Sequence, residues 1–183
     1  MISVVTPTHN TQWLNETYET LREQTYKDWE WVLIPNGKAL EDINRFNITL
    51  PKDKKVRAIP YTGVCNIGAL KRFGFEAAKG NILVELDHDD LLTPDALEII
   101  AEALKDADFC YSNTIEFMDG TWEPHTYSPY WGWKSRPVEY KGHKLIEMLA
   151  WDPIPASICY VWWGPNHVRA WTKEGYKKSG GHD

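Results

Sequence analysis

Over the first hundred residues, short apolar runs alternate with amphipathic stretches at regular intervals. Ile2 to Thr6 is a short, mainly apolar run closed by Pro7-Thr8-His9-Asn10, which predicts a short strand. Leu14, Tyr18 and Leu21 follow at spacings of four and three, so a helix is expected over 11–24. Trp29 to Ile34 reads as a second strand ended by the turn Pro35-Asn36-Gly37, with a short helix over 39–46 and a third strand over 56–60. Beyond Gly63 the pattern predicts a helix over 66–78 that turns Ile67, Leu70, Gly74 and Ala77 inward and stops at Gly80. A strand over 81–86 and a helix over 94–104 complete a fourth unit. Strand alternating with helix predicts an α/β fold, a Rossmann-like, mainly parallel sheet flanked by helices, which binds ligands beyond the carboxyl ends of its strands.

After Phe109 the periodicity weakens. Residues 109–117 and 121–122 suggest a hairpin across Asp119-Gly120, followed by a proline- and aromatic-rich stretch to Pro137. A helix over 143–151, a strand over 158–163 and a helix over 168–177 are expected to close the chain. The length of 183 residues fits one domain, with residues 1–107 as a ligand-binding half and 108–183 as a loop-rich aromatic half. Ten tryptophans and nine tyrosines are a heavy aromatic load; most are expected in the core, and the remainder suit stacking on sugars or bases.

The net charge of -6, without a basic run, argues against a nucleic-acid partner but is compatible with a small phosphorylated ligand. Cys65, Cys110 and Cys159 match no zinc spacing and cannot all pair, which points to a reducing, cytoplasmic setting. No charged leader precedes Ile2, and no segment reaches the roughly 18 apolar residues of a membrane span. Self-association into a homo-oligomer is left open.

The chemistry concentrates at the end of the fourth strand, where Leu86 leads into Asp87, His88, Asp89 and Asp90. Carboxylates packed this closely repel one another, and a hard divalent cation such as Mn2+ or Mg2+ would neutralise them while leaving positions for diphosphate oxygens. A solvated acidic turn that favours the dipole of the helix near Pro94 is the competing reading. No Walker-type or Gly-x-Gly-x-x-Gly loop is present, which disfavours P-loop enzymes and Rossmann dehydrogenases.

Ile2-Ser-Val-Val-Thr-Pro-Thr-His-Asn10, the run from Leu21 to Ile34, Gly63-Val-Cys-Asn-Ile-Gly68 with Ala78-Lys-Gly80, and Leu86-Asp-His-Asp-Asp90 together resemble glycosyltransferase family 2. The resemblance covers about the first hundred residues in the family's order, and Gly180-Gly181-x-Asp183 resembles a later family element. It implies the GT-A fold and an inverting transfer from a nucleoside-diphosphate sugar, commonly UDP-linked, to a hydroxyl of a glycan or other acceptor. By the same resemblance Pro7, Thr8, Asn10, Asn36, Gly37, Asn66, Asp87 and His88 line the donor site, and Asp87 and Asp89 hold the metal, with His182 a further metal candidate. His88, the middle residue of the motif, is expected as a solvent-facing turn residue without a required role.

Three departures from the family pattern matter. The acidic residue usual after the second strand is replaced by Asn36, whose amide still matches a uracil ring. Cys65 replaces a common arginine; Lys71 and Arg72 are substitutes for its charge, although the pattern reads more simply as a solvated helix face. The usual base lies beyond the Gly-Gly-x-Asp element, which leaves Asp183 itself, Asp152, or a relative that binds or hydrolyses the donor without a base for transfer. His182 and Asp183 as frayed terminal residues form the plain alternative to a role in the site. A nucleotidyltransferase is disfavoured because no glycine-rich basic loop stands near the start.

Overall fold

The computed structural model describes residues 1–46, 53–63, 66–160 and 166–182. Its elements in chain order are β1 (Ile2–Thr8), α1 (Leu14–Glu23), β2 (Trp29–Pro35), α2 (Gly37–Phe46), β3 (Val56–Ala58), α3 (Ile67–Ala77), β4 (Ile82–Glu85) and α4 (Ala96–Ala103). There follow β5 (Phe109–Tyr111), β6 (Thr114–Phe117), β7 (Pro124–His125), β8 (Ser135–Tyr140), β9 (His143–Met148), α5 (Pro155–Tyr160), β10 (Arg169–Thr172) and α6 (Lys173–Lys178). The chain divides into two compact units, Met1–Cys110 with Ala170–Asp183, and Tyr111–Arg169. Residues 170–182 therefore group with the first unit rather than with the residues that precede them. No helix among the described residues is long and apolar enough to cross a membrane.

A six-stranded sheet in the order β3-β2-β1-β4-β10-β5 organises the first unit, and β1 pairs in parallel with both β2 and β4. Every residue of β1 and β2 is buried, as predominantly apolar strands of a sheet covered on both faces require. α3 packs close to this sheet, and its inward face carries Leu70, Lys71, Gly74 and Phe75, whereas Ile67 is exposed. A Cβ on Gly74 would lie 2.4 Å from Val5 Cγ1, so the approach of helix to sheet depends on that glycine. Asn66 starts the helix by accepting from the amides of Gly68 and Ala69.

The second unit holds a four-stranded sheet, β7-β6-β9-β8, with antiparallel pairings throughout. β6 and β7 form the expected hairpin around Gly120, but Phe109–Tyr111 belongs to the other sheet. The helix expected over 143–151 is instead strand β9. Lys141 and Gly142 both have positive φ, +49° and +81°, the signature of a two-residue hairpin turn that pairs Tyr140 with His143. The strand expected over 158–163 is helical as far as Tyr160, and its remainder lies outside the described residues. Residues 169–172 are strand before α6 begins, where a single helix over 168–177 was expected.

The aromatic load is also placed differently. The buried aromatics among the described residues are Trp29, Trp31, Phe75 and Tyr176, all in the first unit. In the second unit Tyr127, Trp133 and Trp151 are half-buried and pack on one another, while Tyr130 and Trp131 are 85% and 73% exposed.

Glu30 lies within β2 at 5% exposure, and its carboxylate meets Ser3 Oγ at 2.7 Å, Arg57 Nη1 at 2.8 Å and the Lys79 amide at 2.7 Å. Burial raises its pKa, but the hydrogen bonds from Ser3, Arg57 and Lys79 outweigh that and hold the carboxyl below the usual glutamate range. The unfolded carboxylate thus takes up a proton first as pH falls, so this stabilisation is complete above a pH of about 4.3 and is lost as pH drops through the lower folded value. Glu30→Gln is expected to cost about 1–3 kcal/mol at neutral pH. Urea denaturation of both proteins should show that difference shrinking below a pH of about 4; an equal difference at both pH values would mean that the carboxylate charge is not what matters.

Candidate functional site

The carboxyl ends of β1, β2 and β4 lie side by side in the parallel sheet, and the candidate residues gather there. At the end of β1, Thr8 is buried and its hydroxyl donates to the Asn10 carbonyl. Asn10 Oδ1 accepts from the Gln12 amide at 2.9 Å, and its NH2 faces His88 Nε2 at 3.3 Å. Pro7 sits beside Ile34 in the register that joins β1 to β2.

Asn36, at the end of β2, is 5% exposed, and its NH2 donates to Thr8 O at 2.9 Å and to Ile34 O at 3.3 Å. The amide group therefore ties two strand ends together through its NH2. Gly37 follows with a left-handed φ of +49°. Asn66 spends its side-chain oxygen on the start of α3.

His88 is 8% exposed, which overturns the expectation of a solvent-facing turn residue. Its ring stands edge-on to His9 at 4.8 Å and lies 6.1 Å from Trp13. Burial pushes its pKa below the usual histidine range, although the Asp89 charge works in the opposite direction. A donor amide facing Nε2 places the ring proton on Nδ1, which is 4.0 Å from Asp89 Oδ1.

α1 holds the carboxylate loop through polar groups on its buried face. Thr17 Oγ1 lies 3.0 Å from His88 O and 3.1 Å from Asp90 O. Thr20 Oγ1 accepts from the Leu92 amide at 3.3 Å. Gln24 donates to Thr93 O at 2.8 Å and accepts from the Leu97 amide at 2.9 Å. Sequence reasoning missed these residues, and the available signal was three polar side chains on the inward stripe that Leu14 and Leu21 define.

Lys71 is 8% exposed, contrary to the solvated helix face expected for it. Its ammonium is 2.6 Å from Glu85 Oε1 and 3.5 Å from Asp87 Oδ1, and Glu85 is fully buried. The missing family arginine is thus matched by a positive charge beside the carboxylates. Asp87 is partly exposed, and Asp89 has a side chain 53% exposed. Both supply carboxylate oxygens, hard donors of the kind that suits Mg2+ or Mn2+.

His182 is anchored rather than frayed: its Nδ1 is 3.0 Å from Tyr176 Oη and its Nε2 is 3.2 Å from Glu85 Oε2. Asp183 lies outside the described residues. Asp152 belongs to the second unit, where it is exposed and its backbone carbonyl accepts from Ser157 and from the Ile154 amide.

The family model for Glycosyl transferase family 2 matches residues 3–160. An uncharacterized glycosyltransferase of Rickettsia felis is 32% identical over 116 residues, 62% of this chain and 19% of that protein. The crystal structure of S. aureus TarS 1-349 in complex with UDP-GlcNAc superposes with a TM-score of 0.62 at 13% identity, covering 98% of this chain and 47% of that one. The mannosyltransferase PcManGT from Pyrobaculum calidifontis, in complex with GDP-Man and Mn2+, gives 0.50 at 22% identity over 59% of this chain and 34% of that one. These likenesses show the GT-A fold, and the chain spans less than half the length of each of these proteins.

Thr17→Val keeps the shape of the side chain and removes the hydroxyl that serves two carbonyls of the loop. It is expected to lower stability by about 1–3 kcal/mol in chemical denaturation. An unchanged midpoint would mean that the loop does not depend on α1 for its position.

Proposed function

The chain belongs to glycosyl transferase family 2, and from that premise we propose that it transfers a sugar, with inversion, from a nucleoside-diphosphate sugar to a hydroxyl acceptor. The observation that carries this reading is the Asp87-x-Asp89 pair at the carboxyl end of β4, with the buried Lys71 ammonium beside it. Two GT-A neighbours support a nucleotide-linked donor, one in complex with UDP-GlcNAc and one with GDP-Man and Mn2+. We favour a UDP-linked sugar, because the carbonyl oxygen of Asn36 is suited to accept from the ring N–H of uracil while its NH2 remains on the main chain.

Pro7, Thr8, Asn10, Asn36, Gly37, Asn66 and His88 would form the walls of the donor site around Asp87. Asp87 and Asp89 would hold a divalent cation, which when bound supplies Lewis-acid neutralisation of the departing diphosphate. Lys71 adds a fixed positive charge on the same side, preorganised by Glu85 so that it needs no rearrangement during the reaction. A carboxylate oxygen, on Asp183 or else on Asp152, would take the proton of the acceptor hydroxyl on the opposite face of the sugar. The exposed Tyr130 and Trp131 offer ring faces to an acceptor glycan. A cytoplasmic setting fits the free thiols of Cys110 and Cys159.

The test is to incubate the protein with manganese and a panel of nucleotide sugars, with and without candidate glycan acceptors, and to detect free nucleoside diphosphate. Release from a UDP-sugar is expected, and Asp89→Ala should abolish it together with manganese-dependent UDP binding. UDP affinity unchanged in the variant would remove the metal assignment. Binding without release would leave a donor-binding module.

A further inference from the structure

Gly180 and Gly181 both adopt left-handed backbone, with φ of +87° and +78°, and turn the chain back after α6. Only glycine takes two such residues in succession at low cost, and a Cβ on Gly181 would lie 3.1 Å from the Tyr176 hydroxyl. The turn places the His182 ring among Phe75, Trp171 and Tyr176, with centroids 5.4, 5.5 and 5.5 Å away. Both ring nitrogens are engaged, Nδ1 by Tyr176 and Nε2 by Glu85, while the Arg72 guanidinium donates to the His182 carbonyl. Rotating this ring would break two hydrogen bonds at once.

Glu85 is the hinge of the arrangement. One of its oxygens is bonded to Lys71, which also reaches Asp87, and the other faces His182. A single buried carboxylate thus links the carboxylate loop to the segment that follows the double glycine. From this geometry we infer that His182 is a positioning residue, which holds the Gly180–His182 segment in register with the Asp87-x-Asp89 loop for the transfer step. The inference rests on the transferase reading above. In this role His182 acts through Glu85, which distinguishes it from a metal ligand. Misplacement of a reacting group by about 1 Å is enough to slow chemistry by roughly a hundredfold, which gives the half-buried ring and the two left-handed glycines a purpose.

His182→Ala and His182→Gln test this in the full chain, using whichever nucleotide sugar the parent consumes. For His182→Ala, kcat for transfer should fall by at least about tenfold, with the donor KM and the affinity for UDP and manganese within about threefold of the parent. His182→Gln retains an amide N–H near the position of Nε2 and should recover much of the loss. Lost manganese or UDP binding in His182→Ala would make the residue a metal ligand and overturn the inference. A parallel fall in melting temperature, UDP binding and kcat, without rescue by glutamine, would reduce it to a packing residue. Unchanged kcat would overturn it outright. A parent that consumes no donor would refute the transferase reading, and this role with it, whereas an active parent with a fully active His182→Ala refutes this inference alone.

Discussion

The ammonium of Lys71 and the carboxylate of Glu85 meet at 2.6 Å beneath the carboxyl end of β4, with almost no access to water. Burying either charge alone would be costly, and removing one partner of such a pair typically costs about 3–5 kcal/mol because the other is left uncompensated. Replacing a buried ion pair by well-packed hydrophobic residues is often neutral for stability, so the charges are better understood through what they touch. Lys71 extends to Asp87, and Glu85 extends to His182. The pair therefore joins two segments far apart in the chain, and the geometry of the candidate site depends on it.

A second constraint comes from α1. Its apolar residues pack on the sheet, but Thr17, Thr20 and Gln24 lie on the same buried stripe and bond to the backbone between His88 and Leu97. Buried backbone groups outside regular structure need partners, and here one helix supplies them to a loop of carboxylates whose mutual repulsion would otherwise spread it. His88 completes this support from within the loop, its charge disfavoured by burial and its ring packed on His9 and Trp13. The loop is thus held by hydrogen bonds and by ring packing, leaving Asp89 facing solvent.

The parallel half of the fold was readable from the chain because β1 and β2 are buried throughout and leave predominantly apolar runs with a helix after each. The other unit was not, because β8 and β9 are short and only partly buried, and a six-residue run such as that of β9 fits a helix or a strand equally well. The deciding signal was Lys141-Gly142, a turn that only the pairing of its flanks makes visible. In the site, Asp87 and Asp89 were evident from their spacing, whereas Lys71 and His88 were taken for solvated residues. Both are polar, and burial of a polar residue is decided by partners distant in sequence, Glu85 for one and Asn10 for the other. His182 was a candidate on family grounds, but its contact with Glu85 required the double-glycine turn to be seen in three dimensions.

The central claim is that the Lys71–Glu85 pair serves the site rather than the stability of the fold. The most direct test is a double-mutant cycle with Lys71→Met and Glu85→Gln, reading unfolding free energy and the manganese-dependent affinity for UDP on the same samples. Lys71→Met alone should lose about 3–5 kcal/mol of stability by leaving Glu85 uncompensated. The uncharged double variant should regain most of that loss while its UDP affinity stays at least about tenfold weaker than the parent's. A double variant that recovers both stability and parental UDP affinity would contradict the claim.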